Sequence, residues 1–328
     1  MRKPQALLIL PRLRIQNANA ISSSMTWGFP AMSAFVGAMH ALERKLPDSV
    51  DLLFNSVGVI CHGFDAQVTT GGFTKSFLLT RNPVGKDGNT AAIIEEGRAH
   101  IEITLVLGVE GEACDGDWHS RDAVASEVAN IVAGMRIAGG SVMPTLPGQR
   151  ASRQRPQLLP IAEDAGERDE EFKRLRRSWL PGFALVSRDD LLAQRVAELQ
   201  ASNPDATELD AWLDCSRLNI HCVEQQPEKS DSAQTDPAFS WQVRKLPGWI
   251  VPIPIGYGAL SECYKPGAVL NARDTTTPFR FVESLYSLGQ WISPHRLGSP
   301  TDLLWYPSND LEAGLYRLHN DYQSPVNG

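Results

Sequence analysis

The first 145 residues switch between period-two and period-3.6 hydrophobic patterns in the order β-α-β-β-α-β. That order restricts the fold more than any other property of the chain. Ala6 to Ile15 reads as a strand. Ala31 to Leu42 reads as a helix, with Pro30 at its start where a missing N–H costs nothing, and with Phe35, Met39 and Leu42 on one face. Asp51 to Val68 contains a second strand. Arg98 to Leu107 is a third, in which His100, Glu102 and Thr104 alternate with Ile101, Ile103 and Leu105. Arg121 to Met135 carries Val124, Val128, Ile131 and Met135 on a helical stripe, and Arg136 to Met143 closes the series as a short strand. Such a succession is that of a ferredoxin-like, RRM-type α+β fold.

Between the second and third strands the chain is too long for a tight turn. Phe73 to Thr80 and Ala91 to Ile94 suit the two arms of an extended hairpin at about residues 70–97, with Asn-Pro and Asp-Gly turn signals between them. A long surface loop fits the same residues. Residues 146–328 read as a C-terminal α/β elaboration. Residues 145–170 look like a linker or surface excursion. A helix near Glu167 to Trp179 places Lys173, Arg176 and Arg177 on one side, where RNA contact and a solvated face paired with Glu170 and Glu171 both suit them. Leu180 to Ser187 reads as a strand, Asp190 to Gln200 and Thr207 to Arg217 as helices, and Glu224 to Pro237 as a mobile stretch. Pro252 and Pro254 make Trp249 to Ile255 an edge strand or extended segment. Phe279 to Trp291 fits a strand or a short helix.

Where the first strand ends, chemistry concentrates. Arg12 and Arg14 are followed by Gln16, Asn17, Asn19, Ser22 and Ser23, and the first 42 residues hold no Asp or Glu. Uncharged amides and hydroxyls donate and accept, which suits base edges and ribose hydroxyls, while arginines suit phosphate or stack on bases. Asn and Ser are equally ordinary turn residues, so a capped strand-to-helix turn accounts for the same stretch. The formal net charge of −7 is unusual for a nucleic-acid binder. Charge is segregated, however, and a protein that touches few nucleotides needs a local patch only.

Other chemistries find little support. There is no P-loop and no G-x-G-x-x-G after a strand. The five cysteines form no C-x-x-C pair, so neither a disulfide framework nor a zinc site is expected, and no cofactor is called for. Cys61-His62 and His221-Cys222 are adjacent pairs whose side chains diverge on a strand. His40, His62, His100 and His295 are available imidazoles, but no second group for in-line cleavage of RNA can be identified beside any of them. No apolar run is long enough to span a bilayer or serve as a secretory signal, and the cytoplasm is the expected location.

A series of blocks then carries a family resemblance. Leu10 to Pro30, Gly58-Val-Ile-Cys-His62, Leu79-Thr-Arg-Asn-Pro83, Glu95 to His100, Met135 to Ser141 and Leu180 to Ser187 run in order, followed by Trp241 to Arg244, Pro247 to Pro254, Asn271 to Asp274, Arg280 to Glu283 and Trp291 to Arg296. Together they resemble the second subunit of the type I-F CRISPR surveillance (Csy) complex, a Cas-five-like member of the RAMP superfamily. The resemblance implies a RAMP fold with a thumb hairpin and a non-catalytic role. It implies binding to the 5′ handle of the crRNA, with partners in a large Cas-eight-like PAM-reading subunit and an adjacent Cas-seven-like backbone subunit. Target DNA would be met through the assembled complex, in antiviral defence. Some RAMP relatives instead cleave precursor crRNA without metal, which is the enzymatic alternative. The residues expected to face RNA are Arg12, Gln16, Asn17, Asn19, Ser22 and Ser23, then Arg81 and Asn82 at the thumb, Arg136 beside Ala138-Gly-Gly-Ser141, and His295 with Arg296. Trp27 suits base stacking or the core, and Arg244 and Arg273 suit RNA or a structural brace.

Overall fold

A computed structural model describes residues 3–72, 74–81, 87–90, 93–144, 155–225, 238–272 and 274–323. The fold is α+β, with one large antiparallel sheet and, among the described residues, six α-helices. Strand β1 (Ala6–Asn19) opens the sheet, and helix α1 (Met32–Glu43) follows. Helix α1 buries Phe35, Met39 and Leu42 as their spacing predicts. Strand β2 (Leu53–Ala66) leads into two small hairpins, β3 (Val68–Gly71) with β4 (Thr74–Phe77) and β5 (Leu79–Arg81) with β6 (Ile93–Glu95). Strand β7 (Arg98–Glu110), helix α2 (Trp118–Ala133) and the hairpin β8 (Arg136–Ile137) with β9 (Gly140–Val142) complete the first half. The sheet order across this half is β9-β1-β7-β2.

Four expectations need correcting here. Strand β1 does not end at Ile15 but continues through Gln16–Asn19, because two bulges absorb the polar residues without ending its pairing to β7. Those bulges hold Arg12 and Asn17 at φ 53° and 59°. Residues 136–143 are not one strand but a hairpin. In the projecting segment only the outer arm matches: Leu79, Thr80 and Arg81 pair with Glu95, Ile94 and Ile93, whereas 74–77 pairs back onto 68–71. Finally, the presumed linker contains β10 (Gln157–Pro160), which pairs with Ala6 to Ile9 of β1.

Helix α3 (Ala165–Ser178), β11 (Phe183–Ser187), α4 (Asp189–Ser202), α5 (Glu208–Ser216) and the hairpin β12 (Asn219–Gln225) with β13 (Ala238–Arg244) come next. Most of the stretch expected to be mobile, residues 226–237, lies outside the described residues. Then follow β14 (Trp249–Ala259), β15 (Val282–Ile292), the one-turn α6 (Pro300–Leu303), β16 (Trp305–Asp310) and β17 (Leu315–Asn320). Residues 279–291 are therefore mainly strand. The proline-bearing strand β14 pairs with β15 along its length and with β17 only at Gly256 to Gly258. Pro252 and Pro254 thus sit on the stretch that has a single neighbour, and their missing N–H groups leave no gap in a second ladder. Both β11 and β16 reach β2, so β2-β11-β15-β14-β17-β16 form a closed circuit of strands.

Alternate residues of β1 serve two cores. Ala6, Leu8, Leu10 and Ile15 pack with α1 and α2, while Leu7 and Ile9 face Phe172 and Trp179 on the side covered by α3. Both faces of the β1 end of the sheet are therefore buried, which explains its unbroken apolar run.

Candidate nucleic-acid interface

The end of β1 and the β8–β9 hairpin meet because of two glycines. Ala138 and Gly139 form a two-residue turn with φ values of 49° and 76°, the left-handed pair that suits the twist of a tight hairpin. At Gly140 a Cβ would lie 2.6 Å from the Gln16 carbonyl oxygen and 2.7 Å from the Ala18 nitrogen. Glycine is what lets the hairpin lie this close to β1. The Asn19 N–H then donates to the Ala138 carbonyl at 2.8 Å, and the Arg136 Nε donates to the Gly139 carbonyl at 3.0 Å.

Beside this turn runs a groove of about 710 Å³. Asn19, Ser22, Arg136 and Gly139 line it together with the small residues Ala34, Gly37, Ala38 and Ala41 of α1 and with Tyr257 of β14. Three of the residues expected from sequence thus converge on one concave surface. Arg136 is exposed there, with its guanidinium held on the turn.

The polar loop beyond β1 is braced from within. The Asn19 amide donates to the Ile21 carbonyl at 2.7 Å and accepts from the Ile21 N–H at 3.1 Å. Ser22 and Ser23 both reach the buried Thr26 hydroxyl, at 2.8 and 2.7 Å, and Ser23 also accepts from the N–H groups of Met25 and Thr26. These side chains set the loop's shape, as turn-forming Asn and Ser do. Trp27 is 58% exposed and meets Phe77 of β4 edge to face, ring centres 5.7 Å apart. That contact ties the loop to the projecting hairpins, and sequence spacing gave no sign of it.

Other expected residues lie elsewhere. Arg12 donates to Glu102 at 3.0 Å and lines a different cavity, on the α3 side of the sheet. Gln16 is exposed, with its backbone paired to Ser141. Asn17 is engaged by the Gln67 amide, and its N–H donates to His100 Nδ1 at 3.3 Å. His295 and Arg296 are exposed in a short turn beyond β15, with Ser293 Oγ 2.8 Å from His295 Nδ1; neither borders the groove. Arg81 has a described backbone in β5, while Asn82 and Arg273 lie outside the described residues.

His62 is bound on both sides, 2.8 Å from the Thr104 hydroxyl and 2.7 Å from the Pro181 carbonyl. Burial, and then the nearby Arg12 charge, hold its imidazole below its ordinary pKa against the opposing pull of the Pro181 carbonyl and Glu102. Among the described residues no group of three or more His, Cys, Asp or Glu side chains is placed to hold a metal. No helix there is long and apolar enough to cross a membrane.

Sequence comparison places this α+β chain among CRISPR-associated proteins. Residues 8–318 match the family model described as CRISPR-associated protein (Cas_Csy2). The chain is also 49% identical over 316 residues to "CRISPR-associated protein Csy2" of Pseudomonas aeruginosa (strain UCBPP-PA14), covering 96% of this chain and 95% of that protein. The chain belongs to the Csy2 family.

Proposed function

We propose that this chain is the RNA-binding, non-catalytic second subunit of a type I-F CRISPR surveillance complex, working in the cytoplasm and holding the 5′ handle of the crRNA. The observation that carries the reading is the convergence of Asn19, Ser22, Arg136 and the Gly139 turn on one groove. An arginine at the edge supplies a phosphate contact, and a glycine turn lets a strand's backbone approach closely. Family membership supports the assignment to the complex.

The strand order β9-β1-β7-β2, with α1 and α2 as the two crossovers, supports a ferredoxin-like RAMP fold. The small hairpins after β2 take the place of a thumb, the element expected to meet an adjacent backbone subunit. The exposed apolar face of β12–β13, with Phe239 and Trp241 foremost, supports a protein partner, which we assign to the large PAM-reading subunit. Target DNA would be met only through the assembled complex.

The test is binding of labelled handle RNA by the chain co-purified with the large subunit, over a range of salt. Arg136→Ala should weaken binding several-fold for all handle sequences and lower the salt slope by about 0.7. An affinity and slope equal to the parent's would remove the groove from the RNA path.

A further inference from the structure

The opposite side of the sheet holds a second cavity, of about 730 Å³, between β1, β10 and α3. Six arginines line it: Arg12, Arg121, Arg155, Arg168, Arg174 and Arg177. They come from four separate parts of the chain, β1, α2, the approach to β10 and α3, so no short sequence window shows the whole cluster. Among the described residues, Glu171 is the one acidic residue on the lining. Arg12 is partly neutralised by Glu102, and Arg168 donates to the carbonyls of Ala162 and Glu163. Arg174 and Arg177 are exposed on α3, and their guanidinium groups make no hydrogen bond or salt bridge among the described residues, although both act at a distance on the Glu170 carboxylate. Leu7, Ile9, Leu159 and Leu175 give the cavity an apolar floor.

Two donors here have no acceptor among the described residues. Trp179 is 2% exposed and lies on the cavity wall, and its indole N–H meets no acceptor among the described residues; the Arg121 Nε is likewise buried and unpaired among them. Buried donors without acceptors are uncommon in a folded protein. A wall so rich in donors and poor in acceptors suits a ligand that only accepts. A phosphodiester has acceptors alone, whereas a peptide segment would bring backbone N–H groups with little to receive them.

We propose that this cavity is a second nucleic-acid site, distinct from the Gly139 groove, which takes a phosphate of a single strand on its guanidinium rim. The adjoining nucleoside lies over the apolar floor. Arginine forks grip phosphate in two-point contacts, and the cavity volume falls in the range of sites that enclose small ligands.

The probe is a fluorescein-labelled twelve-nucleotide oligouridylate, titrated with the full chain at several salt concentrations. Arg174→Ala with Arg177→Ala should reduce affinity about tenfold and lower the logarithmic salt slope by about 1.4, two contacts at about 0.7 each for single strands. Arg174→Lys with Arg177→Lys should recover most of the slope, and thermal melting verifies that each variant is folded. Arg136→Ala tests the other groove separately, so either site can fail alone. An alanine pair equal to the parent in affinity and slope overturns the proposal. So does an alanine pair that keeps oligouridylate binding but loses the large subunit, which would mark a protein-docking surface. Full displacement of the oligomer by an equal concentration of inorganic phosphate would also overturn it, leaving a free-anion site.

Discussion

Arg244, at the end of β13, donates to the carboxylate of Asp214 in α5 at 2.5 Å, and this pair fixes the β12–β13 hairpin to the body of the protein. Arg195 of α4 reaches the same carboxylate at 2.6 Å and Arg217 at 3.3 Å, while Asn219 donates to the Asp214 carbonyl at 2.7 Å. Arg244 thus serves as a brace. Asp214 is nearly buried, with burial raising its pKa, but the hydrogen bonds from Arg244 and Arg195 outweigh that and hold the carboxyl below its ordinary value.

The first prediction follows from that balance. A carboxylate with a depressed folded-state pKa contributes stability that is complete above its unfolded pKa of about 4 and is lost as pH falls through the folded value. Asp214→Asn should lower unfolding free energy at pH 7 by about 2 kcal/mol, since it weakens charge-assisted bonds to arginines. Urea titrations at pH 7 and pH 3 should show the difference shrinking in acid. An equal difference at both values would mean that the charge on Asp214 does not matter.

The glycine hairpin gives a second prediction, with opposite signs at two positions of one turn. Ala138 has a side chain at φ 49°, so Ala138→Gly should stabilise the protein by about 1 kcal/mol. Gly140→Ala would drive a methyl group into the β1 backbone and should destabilise by about 1–3 kcal/mol. Denaturant midpoints read both. If the two substitutions change stability in the same direction, the turn geometry is not as described.

Much of the first half was legible because its signals are local. The face of α1 shared by Phe35, Met39 and Leu42 needs only helical spacing. Strand β10 was missed because Gln157–Pro160 is four residues long and borrows its strand character from β1. Asn17 and Asn19 read as loop because amides usually stop strands, yet tertiary pairing with β7 holds both in β1 through a bulge. At the candidate site, Arg136 and Gly139 were visible as a pair in sequence. That they would share a groove with Asn19 depends on the Gly140 approach, which no periodicity encodes. The six-arginine cavity was illegible because its lining is assembled from β1, α2, the approach to β10 and α3, which only the folded sheet brings together.

His62 provides a third prediction. Its neutral form is favoured in the folded state, so its contribution is complete above the unfolded pKa of about 6.5 and is lost as pH falls through the lower folded value. An NMR titration should place its midpoint below 6.5, and His62→Ala should lower the melting temperature through loss of the Thr104 and Pro181 contacts. Precursor crRNA incubated with the purified chain should remain intact, with or without divalent metal. Specific cleavage abolished by His62→Ala would establish the endoribonuclease alternative.

The fourth prediction concerns the hairpin that Asp214 anchors. Cross-strand pairs share a face, and the register sets Ile220 against Val243 and Cys222 against Trp241. Phe239 lies two residues before Trp241 on the same side. Trp241 is 73% exposed and Phe239 is 63% exposed, whereas Asn219, on the other face, is buried against Asp214. One side of the hairpin is thus a brace and the other an unpartnered aromatic surface. Because Trp241 supports little of the folded chain, Trp241→Ser should leave the melting temperature of the isolated protein unchanged. It should weaken pairing with the large subunit at least tenfold, as loss of a central aromatic anchor does, at about 2 kcal/mol. Calorimetric titration of the two subunits gives the affinity, and Asp214→Asn should weaken it too by loosening the hairpin's base. A heterodimer of parental affinity with Trp241→Ser, on a protein of unchanged stability, would exclude this face from the interface.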